Sequence, residues 1–302
     1  MKVLLTGSTG FLGRALAEEL GSRGDVVVPI VRQPPGPGEV GLDLGRRELD
    51  PSKLPGGHLE GLDAAVHLAG APIVTRWTPK HLEQIRASRV AVGDLVARTL
   101  AALDEPPAVL VSGSAIGIYG DRGDEELDES SETGSGVLAD LCRSWEASAA
   151  PAADRGIRVA LLRTGIVLGR GGILAAQLPL FKLGLGAKLA TGRQWTSWIS
   201  LADEVAVILR LLDDPELCGP VCATAPNPVR NAELTHAIAR AVGRRARLSI
   251  PGVAMKVALG SRPAREMLLA GQRVLPRRLQ EVGFRFEHER VGDALQAALR
   301  PV

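Results

Sequence analysis

Cysteine is scarce in this sequence, and the few cysteines present form no framework. Cys142, Cys218 and Cys222 are an odd number, show no Cys-x-x-Cys spacing and have no histidine cluster beside them. We therefore predict neither disulfides nor a metal site, and we interpret Cys218 and Cys222 as loop or strand thiols.

An excess of one charge is also lacking, since the formal net charge is +2. A nucleic-acid partner is not expected, because it would require a strongly basic surface.

Long hydrophobic runs are lacking too. No stretch approaches the roughly 18 consecutive apolar residues of a transmembrane helix. The apolar start of the chain is broken by Gly7 and Gly10 before the core of a signal peptide could form. We expect no membrane partner and a cytoplasmic protein.

What the sequence does contain is a regular alternation of strand and helix patterns. We predict strands over residues 2–6, 26–31, 40–44, 64–68, 108–112 and 157–164, and helices over 11–20, 78–103 and 138–154. Strands that alternate with helices predict an α/β fold with a Rossmann-type, doubly wound parallel sheet.

Beyond Gly165 the pattern loosens, and helices are predicted over residues 201–212, 231–242 and 263–269. At 302 residues the chain is long enough for one large domain and a smaller lobe. We expect residues 1–164 and about 199–225 to form the dinucleotide-binding domain. Residues of about 165–198 and 226–302 would form a smaller α/β substrate lobe with a C-terminal helical segment.

The most informative motif is the glycine run Thr6-Gly7-Ser8-Thr9-Gly10-Phe11-Leu12-Gly13, between the first predicted strand and the first helix. Gly7 would permit a tight turn, Gly10 would let a pyrophosphate approach, and Gly13 would let the helix pack closely on the sheet. An ordinary glycine-rich turn is the alternative, but the strand before it and the helix after it favour a dinucleotide. The predicted cofactor contacts here are Gly7, Thr9, Gly10, Phe11, Leu12 and Gly13.

The end of the second predicted strand indicates which dinucleotide binds. Arg32 stands there and no acid does, and an arginine pairs with a 2′-phosphate where an acid would accept from a 2′-hydroxyl. NADP(H) is therefore expected over NAD(H), the alternative being that Arg32 is a solvated residue at the strand end. Asp43, after the third strand, could face the adenine or cap a turn.

Further motifs resemble a known family. Together with the glycine run, His67-Leu68-Ala69-Gly70 is similar to the extended short-chain dehydrogenase/reductases of the nucleotide-sugar epimerase type. More closely, the chain resembles the epimerase family proteins of the YfcH and SDR39U1 type over essentially its whole length. The segments that carry this resemblance are 114–120, 145–146, 163–169, 192–195, 197–199, 225–228 and 271–279.

The resemblance implies further contacts. The turn after the fourth strand would line the adenine and ribose side of the cofactor, Arg89 would lie near it, and the segment from Gly165 onward would shape the substrate pocket. The cofactor contacts predicted on this basis are His67, Leu68, Ala69, Gly70, Arg89 and Val167.

The catalytic pattern of the wider superfamily is missing. Its members that oxidise or reduce carbinols use a Tyr-x-x-x-Lys pair, in which the lysine lowers the pKa of the tyrosine. The resemblance puts that pair at Leu138 and Cys142, and the single tyrosine, Tyr119, is followed four residues later by Gly123. The usual proton relay is therefore absent.

Two residues remain as catalytic candidates. Ser114 stands where the family's serine polarises a substrate carbonyl, although it could also cap the end of a strand. Tyr119 could serve as a displaced acid, or it could be a buried tyrosine that packs the loop.

Aromatic residues make up only 3% of the chain, so Trp195 and Trp198, within four positions, predict a stacking surface at the substrate pocket. Core packing is the alternative for both. Arg193 beside them would meet either an anionic substrate or solvent.

Two functions are compatible with these observations. The first is an NADP(H)-dependent oxidoreductase or epimerase that acts on a small carbonyl or sugar-like substrate, with a substituted or water-mediated proton donor. The second is a non-catalytic, NADP(H)-dependent regulatory or partner-binding protein, which a cell-division label on some relatives would fit. A homodimer through the helices predicted within residues 90–103 and 138–150 is also expected.

Overall fold

The protein is built around a mostly parallel sheet, seen in a computed structural model that describes residues 1–32 and 34–300. The strands are Lys2–Thr6 (β1), Val26–Val31 (β2), Val40–Asp43 (β3), Glu48–Asp50 (β4), Ala64–His67 (β5), Val109–Ala115 (β6), Glu126–Leu127 (β7), Arg158–Thr164 (β8), Ile166–Leu168 (β9), Ala187–Leu189 (β10), Trp195–Thr196 (β11), Trp198–Ser200 (β12), Gly219–Ala223 (β13), Val229–Arg230 (β14), Leu248–Ile250 (β15) and Arg273–Val274 (β16).

The helices are Phe11–Ser22 (α1), Pro79–Arg86 (α2), Val92–Ala101 (α3), Val137–Ala147 (α4), Ala150–Asp154 (α5), Gly172–Lys182 (α6), Leu201–Asp213 (α7), Asn231–Ala241 (α8), Gly252–Leu259 (α9), Ser261–Pro263 (α10), Arg277–Glu281 (α11) and Val291–Leu299 (α12). Within residues 1–32 and 34–300, none of the helices combines the length and the apolar character that a membrane crossing requires.

The central sheet has eight strands in the order β13-β8-β6-β5-β1-β2-β3-β4. Neighbouring strands run parallel except for β3 and β4, which form an antiparallel pair at one edge. From β1 the chain first adds strands on one side, then returns and adds β5, β6, β8 and β13 on the other. The order of strands therefore reverses between β1 and β5, and ligands of such sheets bind at that point, outside the carboxyl ends of the strands.

Both faces of the sheet are covered by helices. Along β1 the side chains alternate, so Val3 and Leu5 pack toward α1 and α7 while Leu4 packs toward α3. Each fully buried leucine of these layers contributes about 2 kcal/mol of hydrophobic stabilisation. The predicted α/β, doubly wound fold is confirmed.

The structure corrects several predicted elements. The helix predicted over residues 78–103 consists of α2, a π turn at Ala87–Ala91 and α3. The helix predicted over 138–154 is two helices, because Pro151 lies in the first turn of α5 and has no amide hydrogen with which to continue α4. Strand β13 was not predicted, and its Pro220 is tolerated because β13 is an edge strand.

The residues after β8 build a second, smaller core beside the sheet. Helices α6, α8 and α12 contribute Leu174, Phe181, Leu234 and Leu295, which pack with Trp198. Four two-stranded pairs, β7–β16, β9–β12, β10–β15 and β11–β14, connect these helices to one another and to the main sheet. The division of the chain into residues 1–164 with 199–225 and a separate lobe stays a prediction.

Candidate functional site

The glycine-rich turn lies where β1 ends and α1 begins. Gly7 has a φ of +76°, a left-handed conformation that favours glycine. A Cβ atom added to Gly13 would lie 2.1 Å from the carbonyl oxygen of Gly7, so α1 can approach the turn only because Gly13 has no side chain. Gly10 is the N-cap of α1 and provides no side-chain cap, which leaves the first amides of the helix facing outward.

A buried hydrogen-bond network joins this turn to the end of β5. The Thr6 hydroxyl oxygen accepts from the amides of Leu68 and Ala69, each at 3.1 Å, and lies 2.7 Å from Nδ1 of His67. With both lone pairs occupied, the hydroxyl must donate its proton to Nδ1. The imidazole then carries its own proton on Nε2, which donates to the carbonyl oxygen of Arg89 at 3.0 Å.

The environment of His67 agrees with this neutral tautomer. Burial lowers the pKa of His67 to about 4, so the ring is uncharged at neutral pH. His67 therefore acts as a rigid connector between β1, β5 and the π turn.

The π turn sets the direction of the Arg89 side chain. Arg89 lies in the segment Ala87–Ala91, and its Nη1 donates to the carbonyl oxygen of Ala71 at 3.0 Å. Its guanidinium carbon lies 5.2 Å from the centre of the Trp145 ring. A Cβ atom on Gly70 would come within 2.8 Å of the guanidinium, so Gly70 makes room for Arg89. Such π turns often occur at functional sites.

One large cavity, of about 610 Å³, begins at these elements and extends into the smaller lobe. On the side of the sheet it is lined by Gly7, Gly10, Phe11, Leu12, Gly13, Leu68, Gly70, Arg89 and Ser114. The structure thus brings most of the predicted cofactor residues and the predicted serine together around one space.

Ser114 lies at the end of β6 and is hydrogen bonded to an ion pair. Its hydroxyl donates to Oε1 of Glu146 at 2.7 Å. The Glu146 carboxylate receives two further bonds from Arg163, at 2.8 Å from Nε and 3.0 Å from Nη2. Because an ionised carboxylate can only accept, the single Ser114 proton is directed away from the cavity and a lone pair faces the cavity.

The residues at the expected tyrosine and lysine positions also line the cavity. Leu138 and Cys142 are both part of its wall, beside Gly117. Burial raises the pKa of the Cys142 thiol to about 12, so the thiol keeps its proton at neutral pH. The wall is apolar where the superfamily has its proton relay.

Tyr119 lies outside the cavity wall and is fully buried. Its hydroxyl donates to the carbonyl oxygen of Asp128 at 2.8 Å and accepts from Nη1 of Arg163 at 2.9 Å. Burial raises the pKa of Tyr119. This geometry corresponds to the packing alternative and does not support a displaced acid.

The two tryptophans have different surroundings. Trp195 lines the cavity. The guanidinium carbons of Arg230 and Arg273 lie 4.0 and 4.7 Å from the centre of its ring. Trp198 is fully buried, and its indole nitrogen donates to the carbonyl oxygen of Asn227 at 3.0 Å, so its predicted place in the pocket is corrected to the core. Arg193 is exposed and does not line the cavity.

Several other predicted contacts lie outside the cavity wall. They are Thr9, Arg32, His67, Ala69 and Val167. His67 and Ala69 belong to the network behind the wall, Val167 packs toward the core, and Arg32 is exposed after β2. The Asp43 carboxylate accepts from the amides of Gly45 and Arg46, so it caps a turn.

Two functional residues were missed by sequence reasoning. The sequence alone favours a solvated or capping role for Glu146, and it presents Arg163 only as part of the family segment 163–169. They are 17 residues apart in the chain and meet only through the packing of α4 against β6, next to β8. Since each stands in a helix or strand of ordinary composition, no local signal pairs them.

Within the part of the chain that the structure describes, no cluster of three or more histidine, cysteine, aspartate or glutamate side chains could hold a metal ion. Fold and site together define a doubly wound α/β protein with a glycine-rich turn at the switch point of its sheet. Residues 3–220 match the NAD dependent epimerase/dehydratase family, and the chain belongs to that family as an extended short-chain dehydrogenase/reductase. Residues 250–298 match a domain of unknown function.

Proteins of similar sequence span the whole chain. An epimerase family protein from Mycobacterium bovis is 41% identical over 99% of this chain and 98% of its own length. The crystal structure of human epimerase family protein SDR39U1 (isoform 2) with NADPH has a TM-score of 0.89 and 32% identity, and the match covers 99% of each chain. The resemblance to SDR39U1-type proteins is thereby confirmed.

A more distant structure shows the fold alone. UDP-N-acetylglucosamine 4-epimerase from Bacillus cereus has a TM-score of 0.74 at 15% identity, over 99% of this chain and 98% of its own.

Proposed function

We propose that the protein binds NADP(H) at the carboxyl edge of β1 and β5 and acts on a hydroxyl- or carbonyl-bearing small molecule as an oxidoreductase or epimerase. The observation that carries this proposal is a single cavity that runs from the glycine turn to Ser114. The NADPH in the human relative supports the choice of cofactor.

The residues present fit a dinucleotide. The cradle at Gly7 and Gly13 exists only because neither residue has a side chain, and the amides at the start of α1 face the same space. Helix N-termini of this kind bind phosphate groups, and Arg32 would meet a 2′-phosphate. When bound, NADP(H) supplies a hydride to the substrate or removes one from it.

Ser114 is proposed to orient the substrate. Since its proton is donated to Glu146, the hydroxyl can only accept in the cavity, and it fits a substrate hydroxyl better than a carbonyl. Arg163 holds Glu146 in place through two bonds and so keeps the serine in this orientation. Leu138 has no titratable proton, and the Cys142 thiol is a weak acid because burial raises its pKa to about 12. We therefore assign the role of proton donor to water or to a group of the substrate itself.

A titration of the purified protein with NADPH and with NADH tests the cofactor. We expect NADPH to bind more tightly, and Arg32→Asp to weaken NADPH about tenfold to hundredfold while NADH changes little. Arg285→Asp makes the same charge change at another exposed loop position and should alter neither affinity. Equal loss in both variants would contradict the role of Arg32, and no binding of either nucleotide would overturn the proposed function.

A second function is favoured by Leu138 and Cys142 in the cavity wall, which leave no standard relay. Here the protein binds NADP(H) without turnover, and its nucleotide-loaded surface is recognised by a regulatory partner. NADPH oxidation with any carbonyl compound, abolished by Gly13→Val, would contradict this alternative. Identical partners captured with and without NADPH would also contradict it. The link to cell division stays a hypothesis.

The homodimer also stays a proposal. The exposed groove between the π turn, α3 and α4 contains small residues, Ala91 and Ala147, together with Asp94 and Arg98. Light scattering coupled to size exclusion measures the oligomeric state, and a dimer through this groove should dissociate in Ala147→Arg. A monomeric wild type would contradict the proposal.

A further inference from the structure

We infer that the substrate is an uncharged, largely apolar molecule with a single polar group at the Ser114 end, and not a nucleotide sugar. This inference rests on the proposed function, because it assumes that the cofactor fills the half of the cavity next to the glycine turn.

The first observation is the lack of cations in the substrate half. Among the described residues that line the cavity, Arg89 and Glu266 are the charged ones. Arg89 belongs to the cofactor half, where its guanidinium lies against Gly70 and Trp145. Glu266 is acidic, not basic, and its Oε2 accepts from the amide of Leu138 at 3.0 Å.

Three arginines of the smaller lobe lie outside the cavity wall and have other partners. Arg230 pairs with Asp124 at 2.7 Å, and Arg273 pairs with Glu126 at 2.9 Å. Arg278 donates to the carbonyl oxygens of Cys218 and Pro220. A diphosphate is normally held by arginine or lysine side chains, and this cavity presents none to it in the substrate half of the wall that the structure describes.

The second observation is the largely apolar character of that half, in which the polar side chains of Gln194, Asn231 and Thr235 are already hydrogen bonded to the backbone. Its wall includes Leu174 and Phe181 from α6, Leu234 and Ile238 from α8, and Met267 and Leu268 from the segment after α10. A charged ligand would lose its hydration here without gaining a partner, whereas an alkyl or ring system would gain from burial.

The third observation is an apolar mouth, which we define as Leu180, Leu185 and Ile250. Leu180, Leu185 and Ile250 line the cavity and are also exposed, so the apolar wall continues to the surface. Strands β10 and β15 pair Leu189 with Ile250 and hold the two sides of the mouth together. An exposed apolar cluster that is continuous with a cavity marks a ligand-binding site.

These observations define how the substrate is oriented in the cavity. The lone pair of Ser114 is at the inner end, near the cofactor half, and the apolar mouth is at the outer end. A primary or secondary alcohol with a long alkyl or cyclic body would donate its hydroxyl hydrogen to Ser114 and place its apolar body along α6 and α8.

The experiment measures binding of straight-chain 1-alkanols, from butanol to dodecanol, to the NADP⁺-loaded protein by calorimetry, with UDP-glucose as the charged comparison. We expect affinity to rise about threefold to fourfold for each added methylene, and UDP-glucose not to bind. Leu185→Lys places a charge in the mouth at an exposed position and should weaken dodecanol about tenfold or more. Leu44→Lys makes the same change at an exposed position away from the cavity and should have no effect.

The outcomes separate this inference from the proposed function. If NADP⁺ does not bind, the proposed function fails. If NADP⁺ binds but affinity does not increase with chain length, or if UDP-glucose binds in place of the alkanols, the inferred substrate class is wrong. An equal effect of Leu185→Lys and Leu44→Lys would overturn the role of the apolar mouth.

Discussion

Ser114 has one hydroxyl proton, which it donates to Glu146 within the protein. The bond to Glu146 and the two bonds from Arg163 to that carboxylate form a short buried chain. In the wider superfamily the serine is expected to donate to a carbonyl, so the added acid reverses its hydrogen-bonding direction. At the scale of single residues, the site therefore differs from the family pattern in two ways, through this serine and through the apolar Leu138 and Cys142.

Glu204 is another buried residue with an unusual environment. It is fully buried, its Oε1 accepts from Thr164 at 2.7 Å, and Oε2 has no partner within the described residues. Burial raises the pKa of Glu204 from its usual 4.5 to about 8. The folded state therefore keeps a proton that the unfolded state releases above about 4.5.

The raised pKa of Glu204 makes the free energy of unfolding depend on pH. The contribution of Glu204 to stability is complete below pH 4.5 and is lost as pH rises toward 8. Glu204→Gln lacks this loss, so its free energy of unfolding relative to wild type should increase between pH 5 and pH 8, by roughly 3–4 kcal/mol in total. Urea unfolding at both pH values measures the difference, and Glu216→Gln, at a solvent-exposed loop position, is the control. A difference independent of pH would show that Glu204 titrates normally in the folded state.

At the scale of elements, the approach of α1 to the turn after β1 governs the cofactor half of the cavity. Gly13 and Gly21 lie on the same helix, but a Cβ atom at Gly13 would meet the Gly7 carbonyl at 2.1 Å whereas a Cβ atom at Gly21 meets nothing within 4 Å. The pair offers a matched comparison of two Gly→Ala changes.

We expect Gly13→Ala to destabilise the protein by about 1–3 kcal/mol and to weaken NADPH binding, because the helix must move off the turn. Gly21→Ala should stabilise the protein by up to about 1 kcal/mol, because alanine is the better helix former, and should leave NADPH affinity unchanged. Thermal unfolding and nucleotide titration of both variants test this. Equal effects of the two changes would mean that the close approach at Gly13 has no energetic importance.

At the scale of the whole molecule, the cavity is lined by residues of both the main sheet and the smaller lobe, so a cofactor bound in it should stabilise both parts together. Binding to the folded state alone adds about 2.7 kcal/mol at a free ligand concentration of 100 times Kd. We expect NADPH at that ratio to raise the unfolding temperature by several degrees in a single transition, and its removal by dialysis to reverse the shift. Two separate transitions, of which only one responds to NADPH, would instead indicate that the smaller lobe unfolds independently of the bound cofactor.

Local sequence determined much of the sheet and its turn. The apolar runs at residues 2–6 and 26–31, separated by one helical pattern and a glycine run, were sufficient for β1, α1 and β2, because period and glycine spacing are local properties. The family resemblance, carried by short motifs, put the missing tyrosine and lysine at Leu138 and Cys142, and both residues line the cavity.

Tertiary structure decided what each side chain of the site contacts. Glu146 and Arg163 meet Ser114 only when α4 packs against β6, next to β8. Trp195 lies in the cavity wall because β11 pairs with β14, whereas Trp198 lies in the core because β12 pairs with β9. The apolar mouth combines Leu180 and Leu185 with Ile250, which no short window of sequence contains. Pattern and turn chemistry act over a few residues, so they determined the elements, whereas the contacts between distant elements determined the site.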